Sequence, residues 1–378
     1  METIKLFYED SHRKEFTATV LACQSTDKGF AVVLDATAFY PEGGGQACDL
    51  GVLGDAKVLD VREQEGVITH LCDRALEVGK TVAGRIDWQR RFQLMQQHSG
   101  EHIVSGIVHS RLGWHNVGFH MGSDLMTIDF DGPISAEELV RIEQKANEAV
   151  WANIPVRCWY PSEEVLPIVQ YRSKKALPWP VRIVEIPGID NCACCGTHVK
   201  ATGEIGLIKL VSCIKFHQGV RIEMACGSKA LELTRAVFEQ NRAVSQAFSA
   251  KMLETGAAAQ KMNEALAAEK YRANTLQTAL FDHTAAQFAG KGNVWHFADG
   301  LTPAATRDLA DKIADHCGGW AAVLSGEDGN YSICIVSRNG DVKTIGAHLG
   351  AQGGGKPGFF QGSLRDSRAH IEALFEQM

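Results

Sequence analysis

Apolar residues recur three and four positions apart in the segment 91–112, which is the spacing of one face of an α-helix. The positions that carry this pattern are Leu94, Ile103, Ile107 and Val108. A second helix is predicted after Ser135, because Ser135-Ala-Glu-Glu138 is a capping box that precedes another apolar run. Strands are predicted further along, at 181–186, 206–213 and 219–225. The segment 91–228 therefore has the pattern of an α+β domain.

Short apolar stretches with Gly and Asp nearby make residues 1–90 β-rich. The clearest of these stretches are 30–35 and 67–71. Between them lies Phe39-Tyr-Pro-Glu-Gly-Gly-Gly-Gln46, whose three successive glycines do not suit a stable strand and predict a special loop. We expect residues 1–90 to form a small barrel-like β domain.

The segment 229–289 is rich in Ala, Leu, Glu and Lys, with one Gly and no Pro. This composition predicts two long helices that break near Gly256, either as a hairpin packed on its own chain or as a dimer contact. Residues 290–378 predict a small α/β domain, with strands at 294–297, 320–324 and 332–336 and helices at 303–317 and from about 366. The predicted fold class is α+β, with domains at 1–90, 91–228, 229–289 and 290–378.

Composition narrows the class of protein. The chain has 378 residues, 45% hydrophobic and 22% charged, which is ordinary for a globular protein of several domains. No apolar run is long enough to span a bilayer, and the N-terminus lacks the apolar core of a secretory signal. We therefore expect a soluble, cytoplasmic protein without a membrane partner. A net charge of −7 gives no general footprint for nucleic acid, so a nucleic-acid partner would need a local basic face.

The 11 cysteines, an odd number in a long chain, indicate reduced thiols and a metal site rather than a disulfide framework. His98-Ser-Gly-Glu-His102 lies in the first predicted helix, where residues four apart share one face. Far along the chain comes Cys192-Ala-Cys-Cys-Gly-Thr-His198. Three imidazoles and one thiolate form a tetrahedral donor set that suits zinc. A redox-active C-x-x-C from Cys192 and Cys195 would leave both helical histidines unexplained.

Two other functions fit part of this pattern. His98-x-x-Glu101-His102 is an inverzincin-type metallopeptidase motif with Glu101 as the base, but it predicts a downstream Glu ligand rather than a Cys/His loop. A zinc-stabilised module that binds a nucleic acid or another partner without catalysis also fits, because four ligands are typical of a structural site.

Four motifs in this order resemble the AlaX-type alanyl-tRNA editing proteins and the editing half of alanyl-tRNA synthetase. They are Phe39-Tyr-Pro-Glu-Gly-Gly-Gly-Gln46, Gln97-His-Ser-Gly-Glu-His102, Cys194-Cys-Gly-Thr-His198 and Gly219-Val-Arg-Ile-Glu223. A fifth, Gly353-Gly-Gly-Lys-Pro357, is similar to a motif of the synthetase's C-terminal domain. The resemblance covers nearly the whole chain and is to the long, AlaX-L-like form, without the aminoacylation domain.

The resemblance implies a zinc-dependent deacylase that removes serine, or glycine, from mischarged tRNA-Ala. It places Zn²⁺ at His98, His102, Cys194 and His198, with the two helical histidines in the catalytic centre, and makes Glu101 dispensable. Cys195 stands where the synthetases usually have Gly, so the resemblance leaves open which thiolate binds. Among residues expected to contact the substrate it implies Thr37, for the serine hydroxyl, and the loop residues Gly43, Gly44, Gly45 and Gln46.

The C-terminal Gly-rich segment nearly matches a P-loop at Gly350 to Lys356, but Pro357 stands where Ser or Thr would bind Mg²⁺, so we do not expect ATP hydrolysis. The resemblance implies instead a tRNA-contacting domain and a homodimer formed through the C-terminal third. Candidate phosphate contacts are Lys356, Arg365 and Arg368 in this domain, and Arg90, Arg91, Arg172, Lys174 and Lys175 nearer the zinc motifs.

Overall fold

The computed structural model describes residues 2–122, 124–173, 177 and 179–378. Lys174 and Lys175, two of the candidate phosphate contacts, lie outside the described residues. The chain forms two compact units, Met1–Ala243 and Val244–Met378, and the division between them falls inside one helix. Several sheets and helices occur together in the described part of the chain, which confirms the α+β class.

The first ninety residues are built around a closed barrel. The elements here are β1 (Ile4–Lys5), α1 (Leu6–Glu9), β2 (Glu15–Thr26), β3 (Gly29–Leu34), β4 (Ala36–Thr37), β5 (Gly51–Leu53), β6 (Ala56–Gln64), β7 (Val67–Cys72) and β8 (Thr81–Ile86). The barrel has the strand order β2-β3-β7-β6-β5-β8, and alternate side chains such as Val32, Leu34 and Ile68 fill its interior. The two strands predicted at 30–35 and 67–71 are β3 and β7.

The rest of the first unit surrounds one long helix. Its elements are α2 (Trp88–Leu112), β9 (Asn116–Met121), β10 (Met126–Phe130), α3 (Ala136–Trp151), β11 (Arg157–Trp159), β12 (Ile183–Ile186), β13 (Asp190–Ala193), β14 (Ile208–Phe216) and β15 (Gly219–Cys226), with short 3-10 helices at Leu166–Ile168 and Thr202–Ile205. Strands β14-β15-β10-β9 form one antiparallel sheet and β11-β12-β13 another.

Helix α2 is buried on all sides over most of its length, which places its polar residues inside the protein. Asp87 caps its N-terminus by accepting a hydrogen bond from Arg90 N, and Gly113 ends it in the left-handed conformation. Two glycines allow neighbouring segments to approach closely. A Cβ on Gly100 would lie 2.2 Å from Cys226 Sγ, and one on Gly106 would lie 2.3 Å from Ile189 O. Strand β15 and the segment before β13 therefore lie directly against the helix.

The remaining elements are α4 (Ser228–Ala247), α5 (Thr255–Ala286), β16 (Gly292–Phe297), α6 (Pro303–Cys317), β17 (Gly318–Glu327), β18 (Asn330–Ser337), α7 (Lys343–His348), β19 (Gln352–Lys356), β20 (Phe359–Leu364) and α8 (Arg368–Glu376). A five-stranded sheet in the order β16-β17-β18-β20-β19 packs against α6. Thr302 caps α6, as expected for a Thr-Pro start, and Gly318 follows it in the left-handed conformation.

Two local features add detail to the predictions. The break between α4 and α5 lies at 248–254, where Ser249 has a positive φ of 50°, so Gly256 stands in the first turn of α5 rather than at the break. The Gly-rich segment near Lys356 is the edge strand β19, hydrogen-bonded to β20, which agrees with the rejection of a P-loop at this position. None of the helices in the described ranges is long and apolar enough to cross a membrane.

Candidate functional site

Four predicted metal ligands meet at one point although they come from two distant segments. Helix α2 presents His98 and His102 from one face, and the loop after β13 brings Cys194 and His198 to them. One ligand atom from each of the four lies within 4.8 Å of the others. Cys194 Sγ is 3.3 Å from His98 Nε2. Within the described part of the chain, neither ring nitrogen of the buried His198 has a hydrogen-bond partner.

The same geometry distinguishes between the three neighbouring thiols. Cys194 belongs to the four-residue cluster, whereas Cys195 is exposed. Cys192 forms a second group with His102 and Asp190. Gly196 allows the loop to pass close to the helix, since a Cβ there would lie 2.1 Å from His98 Cε1.

Each helical histidine is held through its Nδ1 by an oxygen from another element. His98 Nδ1 donates to Gln46 Oε1 at 2.9 Å, and His102 Nδ1 donates to Asp190 Oδ2 at 2.8 Å. Because a carboxylate and an amide oxygen only accept, Nδ1 of each imidazole carries a proton, and in the neutral form of either ring the Nε2 lone pair faces the cluster. A histidine that ligates a metal is usually oriented by such a partner.

Gln46 joins the glycine-rich loop of the barrel domain to the Cys/His loop. It is 1% exposed, its Oε1 also accepts from Thr197 N at 3.1 Å, and its Nε2 donates to Thr197 Oγ1 at 2.8 Å. Its side-chain amide therefore bonds both of the segments that carry the metal ligands. The structure places this predicted substrate-binding residue behind the histidine rather than in contact with open space.

Asp190 was not identified from the sequence. It is buried, and the fork of Arg172 donates to its carboxylate from Nε at 2.7 Å and from a terminal nitrogen at 2.8 Å. Asp190 stands four residues before Cys194, and an Asp at that distance carries no signal of its own. Arg172 was predicted to contact phosphate, but its guanidinium is committed to Asp190.

The electrostatics of the cluster favour the metal-binding forms of two predicted ligands, Cys194 and His198. Burial alone raises the pKa of the Cys194 thiol, but His98 and His198 beside it bring that pKa well below its usual value. Burial lowers the pKa of His198 to about 3. A thiolate and a neutral imidazole are the forms that bind metal ions. For His102, burial alone lowers the pKa, but the hydrogen bond to Asp190 outweighs burial, so the pKa lies well above its usual value.

A cavity of about 780 Å³ opens beside the cluster, with His98, His102 and Cys194 in its wall. Gly44 is the member of the predicted substrate-binding set that lines it. Gly44 and Gly45 have φ values of 60° and 83°, and a Cβ on Gly45 would lie 2.7 Å from the Phe119 ring. The predicted special loop is therefore a tight turn that brings backbone close to the wall of the cavity.

Thr37 lies in β4 inside the barrel domain. It is fully buried, its hydroxyl is 2.9 Å from His70 Nε2, and Phe39 N donates to that hydroxyl at 3.1 Å. Thr37 is not among the residues that line the described cavity. Its hydroxyl is already bonded within the protein.

Glu101 lies in the wall of the cavity next to the cluster and is 5% exposed. Its Oε1 accepts hydrogen bonds from Ser105 Oγ at 2.7 Å and from Asn116 Nδ2. Its Oε2 lies 4.0 Å from His102 Nε2. This carboxylate belongs to an ordered polar network, although the resemblance makes it dispensable.

The predicted phosphate contacts in the first unit are partly engaged elsewhere. Arg91 is fully buried and forms an ion pair with Asp49, so it is not available to a nucleic acid. Arg90 Nε donates to Cys48 O. The prediction for Arg91 was wrong because a helical pattern does not show which arginine faces inwards.

Comparisons with known proteins match segments that carry parts of this site. Residues 3–90 match the family described as tRNA synthetases class II (A), and residues 181–223 match the threonyl and alanyl tRNA synthetase second additional domain. A protein from Rattus norvegicus named alanyl-tRNA editing protein Aarsd1 is 28% identical over 98% of this chain and 97% of its own length. The chain belongs to the family of alanine–tRNA ligases and alanyl-tRNA editing proteins.

Among other family members, the alanine–tRNA ligase of Ignicoccus hospitalis is 39% identical over 61% of this chain. That of Halorubrum lacusprofundi is 32% identical over 99% of it. The chain spans 26% and 43% of the lengths of these two ligases. The solved C-Ala domain of Aquifex aeolicus alanyl-tRNA synthetase covers 24% of this chain at 18% identity, with a TM-score of 0.20, which is too low to establish a shared fold.

Proposed function

We propose that this family member is a trans-editing aminoacyl-tRNA deacylase that hydrolyses the ester of mischarged Ser-tRNA-Ala, and also of Gly-tRNA-Ala. The observation that carries the proposal is the convergence of His98, His102, Cys194 and His198 at a cavity of about 780 Å³. A cavity of this size is in the range that holds a small-molecule ligand, and an aminoacyl ester of the terminal adenosine is such a ligand. Similarity to a protein named for alanyl-tRNA editing over 98% of the chain supports the substrate class.

The four residues fit a zinc ion. Three nitrogens and one sulfur suit Zn²⁺, and a cation would provide a partner for one of the two unpaired ring nitrogens of the buried His198. Bound zinc supplies Lewis acidity, which polarises a carbonyl or lowers the pKa of water. Asp190 and Gln46 hold two of the ligand imidazoles in the orientation that this function requires.

The chain's own residues shape the remainder of the site. The Gly43–Gly45 turn lets backbone approach the substrate at Gly44. Gln46 acts in this scheme by positioning His98 rather than by touching the substrate.

Selection of serine over alanine requires a polar partner that the correct amino acid leaves unpaired. The family resemblance implies Thr37 for this role. Its hydroxyl is already bonded to His70, so a substitution of Thr37 is the informative test. If the Thr37 hydroxyl contacts the serine hydroxyl, Thr37→Val lowers hydrolysis of Ser-tRNA-Ala while sparing Gly-tRNA-Ala. If Thr37 only supports the barrel, both activities fall together.

The proposal includes the domain assignment. Residues 1–90 and 91–228 make up the editing part, 229–289 a helical spacer, and 290–378 a domain that contacts tRNA and forms a homodimer. A cytoplasmic site of action belongs to the same proposal. Sedimentation of the full chain with and without tRNA-Ala tests the last two points of the domain assignment, namely dimer formation and tRNA binding.

The deciding experiment is hydrolysis of Ser-tRNA-Ala, Gly-tRNA-Ala and Ala-tRNA-Ala by the purified protein, before and after a chelator, with His102→Ala as a second arm. We expect chelator-sensitive release of serine and glycine while the alanyl ester persists. Absence of hydrolysis by metal-loaded protein would contradict the enzyme and leave a metal-stabilised binding protein. Peptide turnover that Glu101→Gln abolishes would instead support the inverzincin-like peptidase.

A further inference from the structure

One side-chain amide in the wall of the cavity has its NH₂ group hydrogen-bonded, while its oxygen has no partner among the described residues. Asn116, the first residue of β9, is 6% exposed and lines the cavity together with His98 and His102. Its Oδ1 has no hydrogen-bond partner among the residues that the structure describes. An unpaired buried amide oxygen costs free energy unless a donor completes it.

The orientation of this amide is determined by its neighbours. Asn116 Nδ2 donates to Glu101 Oε1 and to Ser105 Oγ, the latter at 3.2 Å, and Ser105 Oγ itself donates to Glu101 Oε1 at 2.7 Å. Turning the amide by 180° would set its oxygen against a carboxylate, so the amino half must face Glu101. Oδ1 is therefore left for a group outside this network.

The missing group must be a donor, and the surroundings favour a cation. The unused Oδ1 and the Glu101 carboxylate both present acceptors on the same wall. Glu101 Oε2 lies 4.0 Å from His102 Nε2, so these acceptors stand next to the metal ligands. A positively charged donor satisfies both the amide oxygen and the carboxylate, whereas a neutral hydroxyl gains much less from the carboxylate.

An aminoacyl ester carries such a donor one carbon away from its reacting carbonyl. We propose that Asn116 Oδ1 and Glu101 form the subsite for the α-ammonium group of the aminoacyl ester, so that this chain recognises an amino acid by its amine. This inference rests on the proposed deacylase function. Ser105 then has a positioning role, because it touches the network only through Glu101 and the amino half of Asn116.

The test compares two esters of the same tRNA, one with serine and one with glyceric acid, in which a hydroxyl replaces the α-ammonium. We expect wild-type protein to prefer the serine ester in kcat/KM. Asn116→Leu, which keeps the side-chain shape, lowers that preference on the order of 10-fold, as does Glu101→Gln, which keeps the hydrogen bonds and removes the charge. Ser110→Ala is the control, because Ser110 lies on the same helix and its hydroxyl donates to Ile107 O at 3.1 Å, outside this network; this variant should retain the preference.

The outcomes separate the two proposals. If wild-type protein hydrolyses neither ester, the deacylase function fails and the subsite with it. If it hydrolyses the serine ester but Asn116→Leu and Glu101→Gln keep the wild-type preference, the subsite alone is overturned. A loss that is equal for both esters also overturns it, because the ammonium is then not what the residues read. Should Asn116→Leu not fold, as judged by circular dichroism and metal content, Glu101→Gln decides the question alone.

Discussion

Asp190 Oδ2 lies 2.8 Å from His102 Nδ1, and the same carboxylate accepts two hydrogen bonds from the Arg172 guanidinium. Hydrogen bonds thus connect Arg172 to Asp190 and Asp190 to the predicted metal ligand His102. The carboxylate sets the tautomer and the ring orientation of His102, and the guanidinium fixes the carboxylate. In this way a residue on β13 orients a predicted metal ligand on α2.

Asp190→Asn should therefore weaken metal binding without unfolding the protein. The amide must either turn its oxygen to His102 and its NH₂ to the Arg172 donors, or the reverse, and either choice opposes two donors. We expect the affinity for zinc to fall about 10- to 100-fold, as is typical for partners that orient metal ligands. Competition with a chromophoric chelator measures it, and deacylation at limiting zinc should fall in parallel.

The chain offers a matched control for this substitution. Asp129 is also held by an arginine fork, with Arg221 donating from Nε at 2.7 Å and from a terminal nitrogen at 2.8 Å, but it lies in the β10–β15 pair and contacts no predicted ligand. Asp129→Asn should leave zinc affinity unchanged. An equal loss in both variants would show that the effect is on stability and not on His102.

Gln46→Met tests whether the barrel domain supports the metal site. Methionine has a similar length but no hydrogen-bonding amide, so Thr197 N and His98 Nδ1 lose a buried acceptor. We expect the free energy of unfolding in urea to fall by roughly 1–3 kcal/mol, and zinc affinity to fall with it. Gln144→Met is the control, because Gln144 is exposed and its amide donates to Glu148 within the same helix.

A Gln46→Met protein with wild-type stability and wild-type zinc affinity would contradict this role. Loss of Ser-tRNA-Ala hydrolysis with zinc affinity retained would instead return Gln46 to direct substrate contact, as its motif implies.

Local patterns account for the parts of the site that were predictable. The four-residue spacing of His98 and His102 places them on one face of a helix wherever that helix lies, and a Cys/His loop is informative by itself. The partners of these histidines were not predictable, because Gln46 and Asp190 are 52 and 88 residues away from them in sequence. The prediction that Arg91 contacts phosphate was wrong for the same reason, since only the tertiary fold places Asp49 against its guanidinium.

Metal content should distinguish Cys194 from its neighbours. Cys194→Ser removes the sulfur ligand of the buried cluster, so we expect the zinc bound per chain to be lost at sub-micromolar free zinc and deacylation to stop. Cys195→Ser changes an exposed thiol and should retain both. Elemental analysis after dialysis against controlled zinc provides the measurement. Retention of zinc by Cys194→Ser with loss in Cys192→Ser would move the sulfur ligand to Cys192.

The buried pair of Thr37 and His70 predicts how stability depends on pH. Burial lowers the pKa of His70 to about 4, against about 6.5 for an unfolded histidine. Between these two values the unfolded chain binds a proton that the folded chain does not, so stability rises with pH across this window and is lost as pH falls through it. The full effect of this one group is about 3 kcal/mol.

In His70→Gln, which can still bond the Thr37 hydroxyl, urea unfolding between pH 4 and 7 should show a shallower dependence by that amount. His348→Gln, at an exposed position, should follow the wild-type curve. Parallel curves for wild type and His70→Gln would contradict this prediction, because they would mean that His70 binds its proton at the same pH in the folded and the unfolded chain.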